Sequence, residues 1–123
     1  MPKILVIDDE ESIVKLIEIA LRKVGHKVKT AIDSAEGISM FAKGTFDLVI
    51  TDIRMPGMDG NIVAKHIRNS TSSYTPIIGI SGTPWLLEAD CFDAFLVKPF
   101  LIRDLYNKIN DLTSVPQKMS AIK

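Results

Sequence analysis

Two periodicities of apolar residues alternate along the chain. Short apolar runs rich in β-branched residues, such as the Ile-Leu-Val-Ile stretch at 4–7, have the pattern of strands that are buried on both faces. Between these runs, apolar residues recur every three or four positions, as in helices with one buried face. The predicted strands are residues 3–7, 26–32, 46–52, 77–80 and 94–97, and the predicted helices run from the acidic residues 8–11 to Val24, from 35 to 43, from 60 to 69 and from 102 to 112.

The order of these elements predicts the fold class. Strands that alternate with helices imply βαβ units, a parallel sheet and right-handed crossovers. We expect a doubly wound, five-stranded α/β sheet in the order 2-1-3-4-5, with the second strand at an edge because lysines alternate with other residues along it. The segment 85–93 between the last two strands has room for only a turn or two of helix, so the fourth helix is shortened.

This strand order brings three carboxylates together. The switch point of such a sheet lies between strands 1 and 3, whose carboxyl ends carry Asp8, Asp9 and Asp52. Like charges in one pocket raise each other's pKa or require a cation, and oxygen ligands suit Mg²⁺. Lys98 follows the fifth strand and Ser81 follows the fourth, so an ammonium and a hydroxyl reach the same edge. Together these groups predict a phosphoryl-transfer site with Asp52 as nucleophile.

Composition narrows the class of protein. The length suits one domain, and the 15 acidic residues are matched by 15 basic ones, which argues against direct nucleic-acid binding. Cys91 is the only cysteine, which excludes an internal disulfide and, without Cys/His ligand spacing, a structural zinc site. No apolar run reaches membrane-spanning length and no signal-peptide pattern opens the chain, so we expect a cytoplasmic protein with no membrane partner.

Four short motifs follow the predicted strands in order. They are Asp8-Asp9, Asp52 with the Met-Pro-Gly-Met-Asp-Gly run at 55–60, Ser81-Gly82, and Lys98-Pro99-Phe100. Together they resemble the receiver domain of bacterial two-component response regulators. The resemblance covers residues 3 to about 112 and implies a flavodoxin-like (CheY-like) fold, with a receiver domain at 1–112. Residues 113–123 are mostly polar, so we expect them to form a flexible C-terminal tail.

The resemblance implies roles for the residues of this site. Asp52 would accept a phosphoryl group from the phosphohistidine of a sensor histidine kinase or of a phosphotransfer protein. Asp8, Asp9, Asp52 and the backbone carbonyl of Arg54 would hold Mg²⁺. Lys98 would pair with the phosphoryl group once it is attached.

The resemblance also implies that two residues take part in the conformational switch that follows phosphorylation. Ser81 would swing to bond the phosphoryl group, and Phe95 stands where the family keeps an aromatic side chain that turns inward on activation. Their movement would change the binding of a downstream protein target. The resemblance also implies a cis peptide bond between Lys98 and Pro99.

Three functions stay open from the sequence. The first is a phosphoacceptor module, which catalyses its own phosphorylation and dephosphorylation and is otherwise no enzyme. The second is a receiver-like binding module that works without phosphorylation; it is favoured by the stretch from Ser81 to Lys98, which is shorter than in the family by about five residues, more than one helical turn. The third is an enzyme of the haloacid-dehalogenase type, which needs a second aspartate where this chain has Arg54.

The residues after 112 contain no recognisable effector segment. We therefore expect either a regulator that docks a partner or relays phosphate, or the N-terminal domain of a longer regulator. The sequence favours neither over the other.

Overall fold

The computed structural model describes residues 2–55, 59–83 and 91–113. Within these ranges the chain forms five strands and four helices. Strands and helices alternate up to the fourth strand, as the periodicity predicts. In chain order they are β1 Lys3–Ile7, α1 Glu11–Lys23, β2 Lys27–Ala31, α2 Ser34–Lys43, β3 Leu48–Asp52, α3 Gly60–Arg68, β4 Ile77–Ser81, β5 Ala94–Val97 and α4 Ile102–Thr113.

The five strands form one parallel sheet in the order β2-β1-β3-β4-β5, which confirms the predicted order. β1 therefore lies beside β3, and the registers align the carboxyl ends of the strands. Ile7 pairs with both Ala31 and Thr51, and Ser81 pairs with Val97. Residues that follow these pairs are therefore delivered to one edge of the sheet.

Two apolar layers cover the sheet, one on each face. Successive side chains of a strand point to opposite faces, so Leu5 and Ile7 belong to one layer and Ile4 and Val6 to the other. The first layer includes residues of α2 and α3, and the second includes residues of α1 and α4. Buried members from these helices are Phe41, Val63, Ala64 and Ile67 in the first layer and Ile17, Leu21, Leu105 and Ile109 in the second.

The helix ends follow local sequence signals. The carboxylate of Asp33 accepts a hydrogen bond from the Glu36 amide at 2.7 Å, and that of Asp59 accepts one from the Ile62 amide at 3.2 Å. These contacts cap the first turns of α2 and α3. Gly25 follows α1 with φ of 97°, a conformation that favours glycine.

The differences from the predicted bounds are small where the structure describes the chain. β2, at Lys27–Ala31, is one residue shorter at each end than predicted, and α4 extends one residue beyond its predicted end, to Thr113. Most of the shortened fourth helix predicted at 85–93 and nearly all of the predicted tail at 113–123 lie outside the described residues. None of the helices found in the described ranges is long and apolar enough to cross a membrane.

Candidate functional site

Three carboxylates meet at the carboxyl edge of the sheet, between β1 and β3. Asp8 and Asp9 directly follow β1, and Asp52 is the last residue of β3. Each contributes a carboxylate oxygen, and these oxygens lie within 4.8 Å of one another. Asp8 and Asp52 are buried, whereas Asp9 is exposed. The switch point therefore holds the acidic cluster that the strand order predicts.

Lys98 extends its ammonium group into this cluster from the end of β5. Its Nζ lies 3.3 Å from Oδ1 of Asp52, 3.6 Å from Oδ2 of Asp8 and 3.1 Å from Oε1 of Glu10. The Lys98 amide donates a hydrogen bond to the Ser81 carbonyl at 2.9 Å, which continues the pairing of β4 with β5. One ammonium therefore faces several carboxylates, and the site keeps an excess of negative charge.

Burial and charge shift the pKa values of these groups. Burial raises the pKa of Asp8 to about 6, although a hydrogen bond from the Glu10 amide to Oδ1 opposes the shift. Burial also raises the pKa of Asp52, against the attraction of Lys98. For Lys98, burial lowers the pKa, but the hydrogen bond with Glu10 and the charges of Asp8 and Asp52 outweigh it, so the net shift is upward. The ammonium is therefore held in its charged form.

The acidic cluster has the properties of a metal site. Oδ2 of Asp8 is buried and has no hydrogen-bond partner among the described residues, although Lys98 lies 3.6 Å away. An unpartnered buried carboxylate oxygen is costly, and a cation beside it would remove that cost. The side-chain ligand set consists only of carboxylate oxygens, which suits a hard divalent cation. Asp8, Asp9 and Asp52 could therefore bind a metal ion.

Ser81 is the last residue of β4, and its hydroxyl is engaged in a local contact. Its Oγ accepts a hydrogen bond from the Thr83 amide at 2.8 Å and lies 3.1 Å from the Thr83 hydroxyl. Ser81 is buried, at 2% exposure, beside the acidic cluster. A cavity of about 380 Å³ opens at this edge, and its lining residues are Asp9, Glu10, Asp52, Arg54, Ser81, Gly82, Thr83 and Lys98.

Three residues at this edge were not predicted as part of the site. Glu10 contacts Lys98, and its only signal in the sequence is its place in the acidic run at 8–11. Thr83 contacts Ser81 and lies in a turn-like Ser-Gly-Thr-Pro stretch. Gly60 begins α3 directly against the backbone of Asp52, and a Cβ there would overlap the Asp52 carbonyl oxygen. The contacts of Glu10 and Gly60 depend on how separate segments pack, so no sequence pattern indicates them, whereas the Thr83 contact is local and its signal is the turn-like stretch.

The remaining predicted residues have different positions. Arg54 is exposed and lines the cavity, and the metal-binding role of its carbonyl stays a prediction. Phe95 lies in β5 outside the cavity lining, at 37% exposure, with its ring 5.9 Å from that of Phe92. Its role in a switch likewise stays a prediction. The peptide bond between Lys98 and Pro99 is cis, which confirms the expectation from the resemblance.

Comparisons with known proteins agree on one family. The family model of the response regulator receiver domain matches residues 4–110 of this chain. Among curated proteins, a probable transcriptional regulator, ycf27 of Guillardia theta, is 36% identical over 113 residues, which are 87% of this chain and 43% of that protein. The chain spans about half the length of the curated relatives that it matches first.

Solved structures share the fold. Response regulator protein TrrA from Thermotoga maritima, in complex with Mg(2+)-BeF, has a TM-score of 0.84 at 35% identity, over 91% of this chain and 99% of that one. Chemotaxis protein CheY4 from Vibrio cholerae has a TM-score of 0.85 at 29% identity, over 91% of this chain and 98% of that one. The five-stranded CheY-like architecture therefore extends over nearly the whole chain.

Proposed function

Because this chain belongs to the response regulator receiver domain family of two-component signalling, we propose that it accepts a phosphoryl group on Asp52 and thereby changes the binding of a partner protein. The observation that carries the proposal is the contact of Asp52 with Lys98 inside the acidic cluster, since the Oδ1 to Nζ distance is 3.3 Å. A buried carboxylate beside a fixed ammonium is both a nucleophile and the start of an anion-binding site.

The proposed reaction is the transfer of a phosphoryl group from a phosphohistidine. An oxygen of Asp52 forms a bond to phosphorus while the bond between phosphorus and the imidazole nitrogen breaks, and the electron pair of that bond stays on the imidazole. The product is an acyl phosphate on Asp52 and a free histidine on the donor. Asp52 must be ionised to attack, and Lys98 favours that form.

Lys98 and Ser81 supply groups that bind the added oxygens. The ammonium of Lys98 is charged and already touches Asp52, so it lies next to the position where phosphoryl charge develops. The Ser81 hydroxyl belongs to the lining of the same cavity and donates to a phosphoryl oxygen after it leaves its contact with Thr83. Contacts that exist only in the phosphorylated state shift the conformational equilibrium.

The acidic cluster is the proposed site of Mg²⁺. Asp8, Asp9 and Asp52 would hold the ion together with the carbonyl of Arg54. Bound Mg²⁺ would supply positive charge that neutralises the phosphoryl oxygens during transfer. Asp8 and Asp9 would thereby hold the positive charge of the ion beside the nucleophile without reacting themselves.

The partners follow from this chemistry. The donor is a sensor histidine kinase or a phosphotransfer protein, and the recipient of the signal is a downstream protein that distinguishes the two states of Ser81 and Phe95. The domain binds no nucleic acid or membrane itself, acts in the cytoplasm and catalyses only its own phosphorylation and dephosphorylation. The proposal is limited to this domain, because the chain spans about half the length of the curated relatives that it matches first.

Intact mass after incubation with acetyl phosphate tests the proposal. We expect the wild type to gain one phosphoryl group with Mg²⁺ and none with EDTA, and Asp52→Asn to gain none. Asp111→Asn, which makes the same change on an exposed position of α4, serves as the matched control and should gain one group. A folded wild type that gains none in Mg²⁺ would reject the proposal and favour a binding module that works without phosphorylation.

A further inference from the structure

The carboxylate of Glu10 forms the shortest ion pair of Lys98. Its Oε1 lies 3.1 Å from Nζ, compared with 3.3 Å for Asp52 and 3.6 Å for Asp8. Glu10 and Lys98 are 88 positions apart in the sequence, so the contact depends on the fold. Unlike the two aspartates, Glu10 has an exposed side chain, at 57%.

The backbone of Glu10 is held in place by contacts that do not involve its side chain. Its amide donates to Oδ1 of Asp8 at 3.0 Å, and its carbonyl accepts from the amides of Ile13 and Val14 at the start of α1. The side chain therefore starts from a fixed point at the mouth of the cavity and reaches Lys98 across it. A change at the Glu10 side chain leaves these backbone contacts available.

The geometry points to Glu10 as a competing counterion, which holds the Lys98 ammonium in the resting state and must release it when a phosphoryl group arrives on Asp52. This inference rests on the proposed function. Glu10 acts through Lys98 and is a positioning residue, since it touches no reacting atom in the proposed transfer.

Competition between two anions for the Lys98 ammonium explains why the contact with Glu10 must be given up. An ammonium has three N–H donors, and this one lies within hydrogen-bond distance of the Glu10 and Asp52 carboxylates, with the Asp8 carboxylate 3.6 Å away. A phosphoryl oxygen that enters needs one of these donors. Asp52 carries the phosphoryl group itself and Asp8 is buried beside Lys98, whereas exposed Glu10 exchanges Lys98 for water at little cost.

The expected effect is modest because the pair is partly solvated. Ion pairs of this exposure correspond to changes of about 1.5- to 5-fold in an equilibrium constant. Removal of the Glu10 carboxylate should therefore make the site easier to phosphorylate by a factor in this range. A merely structural residue would show the opposite sign, since damage to the site slows the reaction.

Initial rates of phosphorylation by acetyl phosphate in Mg²⁺ test the inference. In this reaction the bond between phosphorus and the acetate oxygen breaks as Asp52 bonds to phosphorus, and acetate leaves. We expect Glu10→Gln to lower the half-saturating acetyl phosphate concentration about 1.5- to 5-fold with little change in the maximal rate. Glu10→Asp keeps the charge but is one methylene too short for the contact, so it should change in the same direction.

Glu11→Gln is the matched control, since it removes the same charge from the adjacent exposed residue. It should behave as the wild type does. A direct readout is the ¹⁵N resonance of the Lys98 ammonium, which should move in both Glu10 variants and stay unchanged in Glu11→Gln. Thermal unfolding of each variant verifies that it is folded.

The outcomes separate the two proposals. If the wild type is phosphorylated and Glu10→Gln has the same half-saturating acetyl phosphate concentration, the inference is overturned and the proposed function stands. The inference is also overturned if the half-saturating concentration of Glu10→Asp equals that of the wild type while that of Glu10→Gln is lower. An equal decrease in Glu11→Gln has the same consequence. In either case the negative charge, and not its contact with Lys98, would be responsible. An unchanged ¹⁵N resonance of the Lys98 ammonium in Glu10→Gln would also overturn the inference. Absence of phosphate on the wild type and on every variant rejects the proposed function and the inference with it.

Discussion

The first residue of α3, Gly60, lies directly against the carbonyl oxygen of Asp52. A Cβ at Gly60 would overlap that oxygen and would also come within 3.0 Å of the Ile53 α-carbon. The Gly60 amide donates to the Ile53 carbonyl at 2.8 Å, so the two segments are joined by a hydrogen bond as well. The start of α3 and the end of β3 therefore form one unit, and glycine is required for their approach.

Gly60→Ala should distort this unit. Because the neighbour is backbone and cannot rotate away, we expect a loss of about 1–3 kcal/mol in the free energy of unfolding, together with slower phosphorylation of the folded protein. Urea unfolding measures the first effect and intact mass the second. Gly82→Ala is the control at the same edge, since among the described residues its Cβ would meet only the Cβ of Lys98, at 4.0 Å. Equal stability of Gly60→Ala and Gly82→Ala would contradict the prediction.

Asp8→Asn should stabilise the metal-free protein near neutral pH. The pKa of Asp8 is raised from 3.8 to about 6, so the folded state binds its proton more tightly than the unfolded state does. The stabilisation due to that proton is present below about pH 4 and is lost as the pH rises to about 6. Above this pH, Asp8→Asn should be more stable than the wild type by up to about 3 kcal/mol, and the difference should disappear near pH 4.

Urea unfolding from pH 4 to pH 8 in EDTA measures this difference. Asp9→Asn is the control, because Asp9 is exposed and its charge is solvated, so its effect should be much smaller. Saturating Mg²⁺ should stabilise the wild type more than Asp8→Asn, since a ligand stabilises the state that binds it. If Asp8→Asn is less stable than the wild type at pH 7 in EDTA, the Asp8 carboxylate contributes more stability through its contacts than it costs through burial, and the prediction is wrong.

The sequence predicted the parts of the site that lie at strand ends. Asp8, Asp52, Ser81 and Lys98 each follow or end an apolar run, and a parallel sheet brings all such ends to one edge. Their convergence is therefore a consequence of topology, which periodicity indicates well. The caps at Asp33 and Asp59 are local in sequence, so residue type next to each helix start is enough to indicate them.

Contacts that depend on side-chain reach or on close approach were not predictable. The pairing of Glu10 with Lys98 joins two distant positions, and nothing in the acidic run separates Glu10 from an ordinary solvated residue. Gly60 is the last residue of a run rich in proline and glycine, and the predicted helix begins there, but no sequence pattern indicates that this helix start lies against Asp52. The cis bond before Pro99 came from the family resemblance, because composition does not distinguish the two isomers.

Thr83→Val should favour the phosphorylated state. The Thr83 hydroxyl lies 3.1 Å from Oγ of Ser81, and this contact must be lost before the Ser81 hydroxyl bonds a phosphoryl group. Valine keeps the shape and the Thr83 amide contact but removes the hydroxyl, so one restraint on Ser81 disappears. A net hydrogen bond of about 0.5–1.5 kcal/mol corresponds to a 2- to 10-fold change in equilibrium.

The phosphorylated fraction at a fixed, limiting acetyl phosphate concentration measures this change. Thr83→Val should raise that fraction, whereas Ser81→Ala, which removes the binding group itself, should lower it. Thr113→Val is a matched control on α4, far along the chain, where the hydroxyl bonds only the Ile109 carbonyl in the described structure. A lower fraction in Thr83→Val would show that its hydroxyl supports the phosphoryl group instead of holding Ser81.

Arg68 anchors the opposite edge of the sheet and should matter for stability alone. Its guanidinium donates to the carbonyls of Ser73 and Thr75, each at 2.7 Å, and to the Asp93 carboxylate at 2.6 Å. These contacts join the end of α3 to the segments that precede β4 and β5. Arg68→Met would leave two carbonyls without this donor and the Asp93 carboxylate with the Ile77 amide alone among the described residues, so we expect a loss of at least about 2 kcal/mol in the free energy of unfolding. Urea unfolding measures this loss, and exposed Arg103→Met should change the same quantity by less than about 0.5 kcal/mol.

Because the phosphoryl site lies at the other end of the strands, the folded fraction of Arg68→Met should gain phosphate at the wild-type rate. A slower rate at equal folded fraction would show that the two edges are coupled.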